Sequence, residues 1–305
     1  MDVRALSVST RDDSTATASS AVVVPLALQL RPRVAGAILD AGFALLRFRA
    51  GRIAALSLTV MLPLVVVPSI ISTSQQASVN EVLADAAFSS SAQGGFIGFG
   101  FGAIGPWGWV AQFGNWIAMA LIGVGVASMY SGWLVGRDPG LTETLGVVVR
   151  RSPIVIIAFV VAAPMRVGGV LACGIGSLFV VALTLPMSPV IALERFGPWR
   201  SYTRSMKLVI RRIGPVIGVL LMTSLVAAVI QVVVGIVGGA IGASAQDPGV
   251  FVWLTGGITL ALQLLFAPLH AAWASLVYFD LRVRTEGLDI ESDMSTRFPS
   301  LASRL

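Results

Sequence analysis

A single histidine, His270, is the residue of this 305-residue chain that is best suited to proton chemistry. It follows Pro268 inside a long apolar stretch, and an ionisable side chain in such a stretch is a functional candidate by default. A proton relay needs a second ionisable group, but the predicted spans contain no carboxylate and offer amides such as Asn115, Gln231 and Gln263. A neutral histidine that hydrogen-bonds between helices or faces the membrane interface is the alternative interpretation.

Arginines precede three of the apolar stretches, a pattern suited to binding phosphate. The junctions read "RFRAGRIAAL" (47–56), "VVVRRSPIVI" (147–156) and "LVIRRIGPVI" (208–217). We expect these side chains to bind the phosphates of membrane phospholipids and to fix the depth of the helices. A dedicated substrate-phosphate site is the alternative. The arginines concerned are Arg52, Arg150, Arg151, Arg211 and Arg212.

Two acidic residues close to the ends of apolar stretches have basic neighbours. The groups are Glu194 with Arg195 and Arg200, and Asp280 with Arg282 and Arg284. Local ion pairing explains this spacing without a catalytic role. Asp280 and Arg282 are nevertheless candidates for a functional or lipid-contacting role.

Motifs of common enzymes are missing from the sequence. It contains no HExxH, no paired-cysteine metal spacing, no GxSxG and no P-loop. A GxGxxG match at Gly100, Gly102 and Gly105 stands outside a strand-turn-helix context, which favours a close-packing or re-entrant segment. The single cysteine, Cys173, permits no disulfide within the chain. The sequence predicts no enzymatic activity, no metal site and no cofactor.

The elements that position these residues are predicted to be membrane-spanning helices. Hydrophobic residues make up 56% of the chain and charged residues 12%, whereas a soluble domain carries roughly 25% charge. Several charge-free stretches exceed the roughly 20 residues that a helix needs to cross the hydrocarbon core. Because the basic residues lie beside these stretches, we expect no nucleic-acid partner despite the net charge of +6.

Hydropathy predicts an all-α polytopic protein with about six transmembrane helices. The predicted spans are 53–71, 109–134, two spans within 152–193 whose boundary is left open near Gly168, Gly169 and Gly174, then 214–240 and 250–277. An even number of spans puts both termini on one side of the membrane. The positive-inside rule makes that side cytoplasmic, since 20 of the 21 lysines and arginines then face it and only Arg166 is external.

The three junctions predict a repeated unit, in which a cytoplasmic amphipathic helix leads through an arginine elbow into a two-span hairpin. Apolar residues spaced four and then three apart precede the junctions, namely Leu39, Phe43, Leu46; Leu141, Leu145, Val148; and Tyr202, Met206, Val209. Independent junctions are the alternative, because any loop that enters from the cytoplasm carries arginines. The predicted organisation is a disordered cytoplasmic tail (1–29), unit 1 (30–135, with an external segment at 72–108), unit 2 (136–193), unit 3 (194–284) and a cytoplasmic tail (285–305).

Three segments resemble a known family. They are "LRPRVAGAILDAGFALLRFRAGRI" (30–53), "PVIALERFGPWRSYTRSMKLV" (189–209) and "LVYFDLRVRTEGLDIE" (276–291). The family comprises bacterial, mostly actinobacterial, integral membrane proteins of the glycerophosphoryl diester phosphodiesterase membrane-domain type. The most specific part is the motif of Tyr278, Phe279, Asp280, Leu281, Arg282 and Arg284. The enzymes of that name use a separate soluble barrel, which this chain lacks, so the resemblance implies only a multi-span module of the bacterial plasma membrane.

These patterns together predict a membrane scaffold or an accessory subunit of an envelope-associated complex. Its expected partners are membrane phospholipids and possible membrane proteins. A transporter or lipid-handling protein, in which the three units surround a path, is the alternative function. An intramembrane enzyme built on His270 is the third hypothesis.

Overall fold

The computed structural model describes residue 25 and residues 32–83, 106–171, 175–245 and 248–287. Predictions for most of the two tails, for the glycine motif at 100–105, for Gly174 and for Cys173 lie outside these residues. Throughout the described part the chain forms helices and short connections, without a strand. The prediction of an all-α protein is confirmed.

The helices follow one another closely along the chain. They are α1 (Ala35–Phe48), α2 (Ala50–Met61), a π-helical segment (Leu62–Val66), α3 (Val67–Leu83), α4 (Pro106–Leu134), α5 (Leu141–Leu171), α6 (Ile175–Thr184), α7 (Met187–Leu193), α8 (Pro198–Arg211), α9 (Ile213–Ala245) and α10 (Pro248–Glu286).

Five helical stretches in the described residues are long and apolar enough to cross a membrane. They are Ala50–Gln75, Trp107–Leu134, Leu141–Met165, Ile213–Ile230 and Trp253–Glu286. The fourth predicted span is instead the shorter apolar run Leu178–Leu193, which a turn at Leu185 and Pro186 divides into α6 and α7. The fold is that of a polytopic membrane protein, and the described part contains five full-length spanning helices rather than six.

The first span does not end at its prolines. From Ala50 to Leu83 the chain stays helical, and Pro63 lies in the π-helical segment. A π turn shifts the register of the backbone hydrogen bonds, so the helix accommodates a residue that has no amide hydrogen. The part of the predicted external segment 72–108 up to Leu83 is therefore a continuation of this helix.

The amphipathic helix predicted for unit 2 is not a separate element, because α5 is continuous through the predicted elbow. Pro153 lies inside α5 and has no amide to offer the carbonyl of Val149. That carbonyl accepts a 2.8 Å hydrogen bond from the Ser152 hydroxyl instead. The helix also continues past Gly168, so the turn predicted there begins further along the chain.

Units 1 and 3 share one construction. α1 and α8 each have 14 residues, and each is followed by a single arginine and then by a spanning helix. The dihedral angles are φ −143° and ψ 47° at Arg49, and φ −148° and ψ 51° at Arg212. The chain therefore turns in the same way at these two residues. We call the junction of Arg49 and Arg52 the first elbow and the junction of Arg211 and Arg212 the third elbow.

α1 lies across the ends of three spanning helices. A methyl group on Gly218 of α9 would contact Ala35 at 3.5 Å, and one on Gly42 would lie 2.3 Å from the indole of Trp273 in α10. At the other end of α1, the ring of Phe48 meets Trp133 of α4 edge-on at 5.6 Å. α4 and α10 make the most extensive contact in the bundle and form its centre.

Candidate functional site

Three carboxylates lie at the end of the bundle where α4, α7 and α10 finish. Asp138 follows α4, Glu194 caps α7, and Asp280 belongs to the last turns of α10. We call these carboxylates and the side chains bonded to them the basic rim. The rim is one region, because the Tyr130 ring of α4 meets Phe279 of α10 at 5.0 Å and Tyr278 bonds to Glu194.

Asp138 is shared by two arginines of the first elbow. Arg49 forms an ion pair with its Oδ2 at 3.2 Å. The other oxygen, Oδ1, accepts hydrogen bonds from Arg52 and, at 3.0 Å, from the indole N–H of Trp133. Desolvation raises the pKa of Asp138, but the hydrogen bonds from Trp133 and Arg52 and the two arginine charges outweigh it. The pKa of Asp138 therefore lies below its ordinary value, and the carboxylate stays charged near neutral pH.

Glu194 belongs to a closed ring of five side chains. Tyr278 donates to one of its oxygens and Arg204 to the other, each at 2.9 Å. Arg204 also bonds to Glu286, which accepts a 2.8 Å hydrogen bond from Arg282, and Arg282 returns to the Tyr278 hydroxyl at 3.4 Å. The ring ties the end of α7, the middle of α8 and the end of α10 to one another.

Asp280 anchors the segment before α1. Its side chain is only 2% exposed, and it accepts a 2.6 Å hydrogen bond from the backbone N–H of Arg33 and a 3.0 Å bond from Arg284. Arg284 also donates to the carbonyl of Arg33 at 2.6 Å. The side chain of Arg33 is itself buried and hydrogen-bonds to Tyr130. Both backbone groups of Arg33 are thus held by the end of α10.

The structure distributes the predicted site residues over separate places. Arg52, Asp280 and Arg282 belong to the rim, although to three different clusters within it. Arg150 is exposed and Arg151 half-buried on the continuous α5, while Arg211 and Arg212 are exposed at the third elbow. His270 is half-buried on α10, beyond the rim toward the middle of the helix.

The ion pairs expected between chain neighbours form at Asp280 but not at Glu194. Glu194 pairs with Arg204, ten residues away, and not with its neighbours Arg195 or Arg200 as expected. Asp280 pairs with Arg284, as expected, but its second partner is the backbone of Arg33. Asp138 and Glu286 were not singled out at all. A spacing of four residues from Arg282 was the available signal for Glu286.

The carboxylates of the rim are bonded to other groups of the protein. With Glu286, the rim has four carboxylates, and both oxygens of each take part in a hydrogen bond or an ion pair with an arginine, a tyrosine, a tryptophan or a backbone amide. No group of three or more metal-ligating side chains occurs in the part of the chain that the structure describes.

The chain matches no family model, no curated protein and no solved structure. The family resemblance of the three segments at 30–53, 189–209 and 276–291 therefore stays a prediction.

Proposed function

We propose that this protein is a membrane scaffold, an accessory subunit of an envelope-associated complex in the bacterial plasma membrane. Both termini lie in the cytoplasm in this proposal, since that orientation places the arginine-rich junctions on the inner side. The basic rim is then the cytoplasmic face of the bundle. The resemblance of the tail motif to bacterial multi-span modules supports the same location.

One observation supports this proposal above the others: the rim clamps the helix ends together. Its three clusters connect α2 with α4, α7 with α8 and α10, and α10 with the segment before α1. Below the rim, large side chains such as Tyr130, Trp133 and Met129 are fully buried. A platform with fixed helix ends presents the same surface to a partner at all times, as a scaffold requires.

Site-directed photo-crosslinking in native membranes tests the scaffold proposal. A photoreactive amino acid replaces Val149, which is 69% exposed beside Arg150 on the rim side of α5. A matched position is Val232, which is 61% exposed in the middle of α9. Mass spectrometry then identifies what each position captures.

A scaffold predicts a discrete protein adduct from Val149 and none from Val232. The adduct should disappear when Arg150 and Arg151 are both replaced by Glu, in a variant that still purifies as a folded protein. Lipid adducts alone at both positions would contradict the scaffold proposal.

A lipid-handling protein or transporter is the second candidate, and the division between α6 and α7 favours it. Broken helices at membrane depth are common in transporters, where they line a path or a binding site. The turn at Leu185 and Pro186 is buried in the bundle. The π-helical segment Leu62–Val66 is a second irregularity, and such segments often occur at functional sites.

Reconstitution into vesicles with a fluorescent phospholipid tests this second candidate. A lipid-handling protein should speed the exchange of the lipid between leaflets, and Pro186→Ala should abolish the effect by joining α6 to α7. Pro153→Ala is the control, because the helix is already continuous there. Exchange no faster than in protein-free vesicles would exclude this candidate.

We do not propose enzymatic activity. An intramembrane enzyme would depend on His270, so His270→Ala tests that hypothesis directly. A His270→Ala variant that folds and accumulates normally, but no longer complements a deletion of the protein, would support the enzyme hypothesis.

A further inference from the structure

The first and third elbows have the same backbone but different electrostatic surroundings. At the first elbow, Asp138 neutralises Arg49 and Arg52 from within the protein. At the third elbow, Arg211 and Arg212 are both exposed, and neither forms an ion pair with any of the described residues. The same junction is thus compensated in one unit and uncompensated in the other.

The two acidic residues that bond to α8 are already engaged. Glu194 accepts from Arg204 and Tyr278, and Glu286 accepts from Arg204 and Arg282. Lys207, one turn before the elbow on α8, is also exposed. Three exposed cations, Lys207, Arg211 and Arg212, are therefore close together along the chain at the end of α8, and the acidic partners of α8 are bonded to Arg204 and Arg282.

Exposed apolar side chains accompany these cations. Ile210 lies directly before the arginine pair and is 60% exposed. α9 begins after Arg212, and its exposed apolar side chains start at Leu221 and Met222. A surface that is cationic at one level and apolar below it matches a phospholipid, whose phosphate lies above its acyl chains. A soluble anion would gain nothing from the apolar part.

We infer that the third elbow binds the phosphate of an anionic phospholipid in the leaflet next to the basic rim, through Lys207, Arg211 and Arg212. Its acyl chains lie along Ile210 and the upper part of α9. The first elbow has no such site, because Asp138 takes the place of the lipid phosphate there. This assignment does not depend on whether the protein acts as a scaffold or as a lipid-handling protein.

The test is native mass spectrometry of the full-length protein released from nanodiscs of phosphatidylglycerol and phosphatidylcholine. Arg211→Gln together with Arg212→Gln should weaken retention of phosphatidylglycerol by about 25-fold, since each cation near an anionic surface contributes about a fivefold effect. Arg195→Gln with Arg200→Gln removes the same charge near the other end of α8, where both side chains are also exposed. That control should change retention less than about twofold.

A charge-conserving variant and competition by inorganic phosphate test the assignment further. Arg211→Lys with Arg212→Lys keeps the charge, so this variant should retain most of the lipid and also show that the elbow folds. Displacement of the lipid by inorganic phosphate would indicate a soluble anion and overturn the assignment. Equal losses in the glutamine variants of the two arginine pairs would overturn it as well, because bulk surface charge would then be sufficient.

Discussion

The backbone N–H of Arg33 donates a 2.6 Å hydrogen bond to the carboxylate of Asp280, 247 residues further along the chain. Arg284 completes the contact by donating to that carboxylate and to the carbonyl of Arg33. The segment that leads into α1 is therefore fixed to the end of the last helix. This contact joins the two ends of the described chain.

Asp280→Asn should lower the free energy of unfolding by about 2–3 kcal/mol, because it leaves Arg284 and a buried amide with a weaker acceptor. Unfolding by sodium dodecyl sulfate, followed by tryptophan fluorescence in mixed micelles, measures the loss. Asp40→Asn is the control, since Asp40 is exposed on α1, and should change stability by no more than about 0.5 kcal/mol. Equal effects of the two substitutions would show that Asp280 is not an anchor.

Gly42→Ala should destabilise the protein by about 1–3 kcal/mol through overpacking. The added methyl group would lie 2.3 Å from the indole of Trp273, whose N–H is bonded to the carbonyl of Leu39 at 3.2 Å. Gly36→Ala in the same helix meets nothing within 4 Å, and it should be neutral or stabilising by up to about 1 kcal/mol. Thermal unfolding in detergent compares the two, and a tolerated Gly42→Ala would mean that α1 is not packed closely on α10.

Ser205→Ala should lower the free energy of unfolding by about 1–3 kcal/mol, because it removes the donor to a partly buried carbonyl. The Ser205 hydroxyl donates a 2.5 Å hydrogen bond to the carbonyl of Leu183, just before the turn that separates α6 from α7. Thr203→Ala removes a hydroxyl that bonds only within α8, to Trp199 and Arg200. The control should be nearly neutral, and a ranking in the opposite order in the same unfolding assay would contradict the role of Ser205.

Local patterns predicted the beginnings of the last two spanning helices well. The charge-free stretch after Arg212 predicted a span from residue 214, and α9 begins at Ile213. The start predicted at 250 lies two residues from Pro248, where α10 begins. Hydropathy is a property of the segment itself, so distant contacts do not alter it.

The features that the sequence did not predict depend on a single side chain or on side chains that are distant along the chain. α5 continues through Pro153 without an elbow, and the Ser152 hydroxyl donates to the carbonyl that Pro153 leaves without an amide hydrogen. The bond from Ser205 to Leu183 crosses between elements, as does the pairing of Glu194 with Arg204. Partners predicted from the sequence were neighbours along the chain, whereas these partners in the structure are distant along the chain and close in space.

Asp138 should make stability depend on acid pH. Its pKa is lowered from 3.8 in the folded protein, so its ion pairs contribute fully above that value and are lost as pH falls through the lowered pKa. The unfolding midpoint should therefore be steady at neutral pH and decrease below about pH 4. Asp138→Asn should flatten that acid-side decrease in a pH series of unfolding curves. An unchanged slope in the variant would assign the acid sensitivity to other carboxylates.

The bond between Ser205 and Leu183 also has a consequence for biosynthesis. Insertion into the membrane follows the order of translation, and α6 and α7 are each too short to cross the hydrocarbon core alone. The carbonyl of Leu183 obtains its donor only when Ser205, 22 residues later, has left the ribosome. We therefore expect α6 and α7 to stay beside the translocon, or beside an insertion chaperone, until α8 has emerged and docked.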